Sequence, residues 1–135
     1  MKIYFQNMEQ YFQGVDKPKS MYEMVMASTE HMIKTNNGLS NEDIFMSHFE
    51  QYVGNNLPRY KDTFNAFYDD LFQNVKASTN QSLQIIDSIK ILKDKGYTLV
   101  IATNPLFPYK ANLHRIRWAG LDHNDFAYIT SFEEN

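Results

Sequence analysis

The sequence predicts an α/β chain that is mostly α by residue count, with about four helices in its first half and a helix-strand-helix-strand order in its second. Three observations carry this expectation. From Met1 to about Lys76 the apolar residues recur at three- and four-residue spacing with almost no strict alternation, the period of amphipathic helices. The run Tyr97-Thr98-Leu99-Val100-Ile101-Ala102 is short, rich in β-branched residues and nearly continuously apolar, as expected of a strand buried on both faces of a parallel sheet. A helical pattern and Gly96 precede that run, and helix, glycine turn and buried strand make half of a βαβ unit.

Taken in order, Tyr4, Phe5, Met8, Tyr11 and Phe12 form one stripe of a first helix that should stop near Gly14. Pro18 and Ser20 open a second, whose face is Met21, Met24, Val25, Ser28, Met32 and Ile33, and Asn36-Asn37-Gly38 turns the chain. Ser40 is the expected N-cap of a third helix, with Asp43 suiting the helix dipole and Ile44, Phe45, Phe49, Tyr52 and Val53 following before Gly54. Pro58 begins a fourth helix, expected to carry Tyr60, Phe64, Phe67, Tyr68, Leu71, Phe72 and Val75 without interruption. A polar stretch from Ala77 to Gln81 lacks apolar periodicity and divides the chain into units 1–78 and 79–135.

Beyond it, Leu83, Ile86, Ile89, Ile91 and Leu92 follow a helical pattern, which Lys93, Lys95 and Gly96 end in the usual way. Thr103-Asn104-Pro105 breaks the strand run, a helical pattern resumes from Leu106 to Ala119, and Phe126 to Thr130 reads as a second strand. Trp118 is the expected anchor of that helix on the sheet.

Composition narrows the function classes. With 13 basic and 16 acidic side chains the net charge is −3, which excludes a nucleic-acid binder that works by bulk positive charge. Apolar residues at 43% and aromatics at 15% suffice for one packed core. The absence of cysteine removes disulfides, thiolate zinc sites and cysteine nucleophiles. No apolar run reaches the roughly 18 residues of a membrane span, and no secretory leader pattern opens the chain, so a cytoplasmic location is expected.

Site chemistry is expected where the buried strand ends. In open parallel sheets, ligands bind at the carboxyl ends of strands, where loops present side chains and the start of the next helix presents free backbone N–H groups. Thr103 and Asn104 occupy that place, and a hydroxyl beside an amide suits phosphate oxygens. The same residues also suit a plain turn. Arg115 is a further phosphate candidate, although Arg115 and Arg117 could instead pair with Asp122 or Asp125. His31, His48, His114 and His123 show no spacing that sets two metal ligands on one helical face. Asp69 and Asp70, adjacent on a helix, point about 100° apart and read as solvated.

The stretch from Leu92 to Pro105, Leu-Lys-Asp-Lys-Gly-Tyr-Thr-Leu-Val-Ile-Ala-Thr-Asn-Pro, resembles the second motif of the haloacid dehalogenase-like (HAD-like) hydrolases. Pro105-Leu106-Phe107-Pro108, Arg115 to Leu121 and Asp125-Phe126 continue the likeness. It implies a partial Rossmann-like parallel core, a helical cap in residues 1–78, and a parent that is a Mg²⁺-dependent phosphatase acting on a small phosphorylated metabolite. In that family a Thr at the position of Thr103 binds the transferring phosphoryl group.

The likeness also defines what this sequence lacks. The family's Asp-x-Asp-x-Thr nucleophile motif is not found near the N-terminus, and its later lysine and acidic metal pair do not follow the second motif. The chain is therefore expected to be a fragment that supplies no catalytic residue, binds no Mg²⁺ by itself and is inactive alone. A two-strand slice of core should expose a sheet edge and an apolar face, through which the chain would form a homo-oligomer or join a complementing fragment. The alternative is a non-catalytic helical interaction module that self-associates or binds a protein partner.

Overall fold

A computed structural model describes residues 1–134. The chain runs α1 (Lys2–Tyr11), α2 (Met21–Lys34), α3 (Asn41–Val53), α4 (Leu57–Asp69), α5 (Leu83–Asp94), β1 (Val100–Ile101), α6 (Tyr109–Trp118) and β2 (Tyr128–Ile129), with short 3₁₀ segments at Gly54–Asn56, Leu71–Ser78 and His123–Asp125. The described residues are thus mostly helical, and their one sheet is the parallel pair β1-β2, with Val100 opposite Tyr128 and Ile101 opposite Ile129.

The first helices start where their caps dictate. Ser20 accepts the Glu23 backbone N–H through its hydroxyl, and Glu23 returns a carboxylate to the Ser20 N–H, a complete capping box. Ser40 accepts from the Asp43 N–H in the same way at α3. Gly54 closes α3 with φ +54°, a conformation that side chains resist.

The packed core belongs to this half. Met8, Phe12, Met21, Met24, Phe49 and Phe67 are fully buried, each gaining about 1.5–3 kcal/mol from removal of its side chain from water. Their rings meet edge to face, tilted or stacked, as in Phe49 on Tyr60 at 5.6 Å, Phe12 on Phe64 at 4.9 Å and Phe45 on Phe49 at 5.7 Å. Ala111, Trp118 and Phe132 from the second half join the same cluster.

Several expectations are corrected. The fourth helix is interrupted at Asp70 (φ −115°, ψ −99°), and Leu71–Ser78 continues as 3₁₀. The break lets Phe72 turn inward, where it packs on Tyr4, Tyr68 and Trp118. Trp118 accordingly anchors α6 on this 3₁₀ segment, its ring 5.2 Å from Phe72, rather than on the sheet. Ile33, assigned to the buried face of α2, is exposed because it lies at the rim of a cavity. The sixth helix begins at Tyr109, not Leu106, since the Leu106 N–H turns back onto the Asn104 carbonyl and Pro108 is extended.

The largest correction concerns the sheet. The run Tyr97 to Ala102 forms only a two-residue strand, and it is not buried on both faces: Val100 is 56% exposed and its partner Tyr128 43%, while Ile129 on the opposite face is buried. No described element covers the Val100 face. In α5 no residue is buried, and Leu83, Ile85 and Ile91 are open to solvent. This helix is attached through Ile86 near Gly120 and a Lys93–Asp125 ion pair, and just before it the Gln81 side-chain amide donates to the Trp118 carbonyl. None of the helices described is long and apolar enough to cross a membrane.

Candidate phosphate-binding strand end

The parallel pairing of β1 and β2 brings two threonines together at the carboxyl ends of the strands. Thr103 donates its backbone N–H to the Thr130 hydroxyl at 2.9 Å, and the two hydroxyl oxygens stand 3.2 Å apart. Thr130 in turn donates its hydroxyl proton to the Thr103 carbonyl at 3.1 Å, with the Ile101 carbonyl farther off at 3.4 Å. With the Thr130 proton so used, the Thr103 hydroxyl is the donor of the 3.2 Å contact, a long bond that it can exchange for one to an anionic oxygen. Asn104 beside it is exposed, and the Leu106 N–H holds its carbonyl at 2.8 Å.

Asn112 supports this end from α6. Its side-chain amide is buried and donates to the Thr130 carbonyl at 3.0 Å, and its oxygen accepts from the Arg115 guanidinium at 3.1 Å. Arg115 lies with its guanidinium 5.0 Å from the centre of the Phe107 ring, on the loop that follows Asn104. Neither arginine is ion-paired with Asp122 or Asp125: Lys93 takes Asp125, and Asp122 caps Asn124. The Thr103, Asn104 and Arg115 of the sequence reading thus fall on one connected segment, joined through Thr130 and Asn112.

One expectation fails here. The first amide of α6 is not free for an anion, because the Glu133 carboxylate holds the Tyr109 N–H with both oxygens at 2.9 and 3.0 Å. The polar side chains left at this strand end are the Thr103 hydroxyl, the Asn104 amide and the Arg115 guanidinium. Nor do these groups fit Mg²⁺, which takes carboxylate and phosphate oxygens; the hydrogen bonds at the strand end involve hydroxyls, amides and carbonyls. Among the described residues no group of three or more His, Asp or Glu could hold a metal ion.

Sequence reasoning missed Thr130 and Asn112, whose roles depend on strand register and on a helix crossing. It also missed a cavity of about 610 Å³ between α1, α2, α3, α4 and the segment that begins at Leu106. Phe5, Phe45, Phe64, Phe107 and Phe132 line it, and neither Thr103 nor Asn104 does. Likewise hidden was the stacking of His31 on His48, 4.5 Å apart, with His48 Nδ1 3.0 Å from the buried Ser28 hydroxyl.

Asp69, solvent-facing as expected, holds Lys110 at 2.8 Å. Burial lowers the pKa of both His48 and His114, and nearby cations lower that of His114 further. Comparison with protein-family models, with curated proteins and with solved structures finds no match to this chain.

Proposed function

We propose that this chain is the cap and second-motif part of a HAD-like phosphohydrolase acting on a small phosphorylated metabolite. The reading divides it into a helical cap over residues 1–78 and a slice of Rossmann-like core over 79–135. The supporting observation is Thr103 at the carboxyl end of a parallel strand, its carbonyl and N–H engaged by Thr130 and its hydroxyl held only by a long 3.2 Å contact to Thr130 that a ligand oxygen can replace. In this reading Thr103 and Asn104 hold oxygens of the phosphoryl group, and Arg115 adds positive charge beside them. The aspartate nucleophile, the lysine and the carboxylates for Mg²⁺ come from residues outside these 135, so the chain alone is inactive.

The test is hydrolysis of p-nitrophenyl phosphate, with Mg²⁺ present, by the chain extended with the in-frame coding sequence both upstream of Met1 and downstream of Asn135. Turnover that falls at least about 100-fold in the Thr103→Val variant supports the reading, since one lost stabilising donor costs about that much. Inactivity of the extended chain, or a Thr103→Val variant as active as its parent, overturns it.

A second reading, a non-catalytic module that self-associates, rests on the exposed apolar side chains Leu83, Ile85, Ile91 and Val100. Sedimentation of a single monomeric species at about 1 mM, a concentration that populates even weak dimers, removes it.

A further inference from the structure

We infer that the cavity between the helical half and the Leu106–Lys110 segment is a binding site for a neutral, largely apolar ligand that carries one hydrogen-bond-accepting oxygen, such as an aryl or branched aliphatic ketone or ester. The inference goes beyond the phosphohydrolase reading and does not need it, because neither Thr103 nor Asn104 lines this space.

Size and lining come first. About 610 Å³ is well within the range of roughly 300–1,000 Å³ typical of small-molecule sites. The wall is mostly aromatic and aliphatic, with Phe5, Phe45, Phe64, Phe107 and Phe132 presenting rings and Val25 and Met46 filling between them. Such a wall favours an apolar body and gives it little to hydrogen-bond with.

A count of donors and acceptors supplies the oxygen. Tyr4 and Tyr68 both line the cavity and are both buried, and their hydroxyls are 2.9 Å apart. Two phenols carry two protons, but the bond between them uses one. Whichever phenol donates, the other keeps an O–H for which the described residues offer no acceptor. A buried donor without a partner is unfavourable, so an occupant that brings an acceptor oxygen is favoured over a hydrocarbon. Burial pushes both phenols upward in pKa, so each remains a donor at neutral pH.

The surrounding charges select a neutral occupant. The lining contains Lys61 and Lys110 against Glu42 and Glu133, two charges of each sign. Lys110 is held by Asn65 at 2.7 Å and Asp69 at 2.8 Å, and the Glu133 carboxylate acts on Tyr68. A carboxylate ligand at the free phenol would face Glu133 and be repelled, whereas a carbonyl would not.

The probe is 6-propionyl-2-(dimethylamino)naphthalene, a ketone on a flat apolar body whose fluorescence shifts to the blue in an apolar site. Titrated into the protein, it should show a saturable blue shift that the Met26→Trp variant, which fills the cavity from its half-exposed wall, abolishes. The Tyr4→Phe/Tyr68→Phe double variant keeps both rings and should bind the ketone roughly tenfold more weakly, while each single variant keeps one donor and should change affinity less than about threefold. If the double variant does not fold, the 6-propyl analogue without the oxygen serves instead and should bind the wild-type protein roughly tenfold more weakly than the ketone. No blue shift, a shift that survives Met26→Trp, or equal affinity for ketone and propyl analogue would each overturn the inference.

Discussion

Thr130 accepts the backbone N–H of Thr103 on its hydroxyl at 2.9 Å and gives its own proton to the Thr103 carbonyl. This side chain extends the parallel pairing past Ile101, where the regular ladder stops, and fixes the orientation of the Thr103 peptide. The strand end is therefore held by β2 even though the far face of the sheet is uncovered.

Thr130→Val keeps the shape of the side chain and removes both bonds. It should lower stability by about 1–3 kcal/mol, the cost of leaving a partly buried N–H and carbonyl without their partner. Urea denaturation measures the loss, and faster hydrogen exchange of the Thr103 amide locates it.

Tyr68 predicts an alkaline limb. Burial lifts its hydroxyl from the ordinary 10 to about 12. A raised folded-state pKa gives stability that is fully present below about 10 and is lost as pH rises toward 12, because the unfolded chain releases the proton first. The loss should approach about 2–3 kcal/mol, and Tyr68→Phe should remove this contribution from the pH dependence of the denaturation midpoint.

His48 predicts the opposite limb. Its pKa is lowered by burial first and by the stacked His31 second. The groups that face it are Ser28 and His31 on α2 and Tyr52 on its own helix, none of them a carboxylate. A depressed folded-state pKa means stability that is present above the unfolded value near 6.5 and falls as pH drops through it. His48→Gln keeps a partner for Ser28 and should flatten the decline between pH 7 and 5, as read by thermal melting across that range.

Gly120 predicts how α5 is seated. Both Gly96 and Gly120 adopt positive φ, 79° and 81°, but a Cβ on Gly96 meets open space while one on Gly120 stands 2.8 Å from Ile86 Cδ1. Gly96→Ala should cost about 1–2 kcal/mol from backbone strain alone. Gly120→Ala should cost a similar amount, since the flexible ends of Ile86 and Gln81 can move aside, but their displacement should loosen α5, seen as faster amide exchange across Leu83–Asp94.

The helical half was legible because its signals are local. Ser20 and Ser40 cap the helices they precede, and the three- and four-residue spacing of Met8, Phe12, Met21 and Met24 names core residues correctly. The break at Asp70 was hidden because Leu71, Phe72 and Val75 continue an apolar spacing that a 3₁₀ turn satisfies as readily as an α-helix. The exposure of Val100 was hidden for a different reason: an apolar run declares what a strand could bury against, not whether a covering layer is present. Of the candidate site, Thr103 and Asn104 could be found by their place after the strand. Thr130, Asn112 and the Tyr4–Tyr68 pair are long-range partners that only the folded chain brings together.

The central claim, that the strand end at Thr103 and Asn104 receives phosphate, is tested most directly by titrating inorganic phosphate into the ¹⁵N-labelled protein and following its amide resonances. The account predicts saturable shifts centred on Thr103, Asn104 and Thr130, together with the Asn104 side-chain amide, and their loss in Thr103→Val. Shifts confined to other surfaces, or no shift at these residues up to about 100 mM phosphate, a concentration that half-fills a site binding as weakly as about 1.4 kcal/mol, would contradict it.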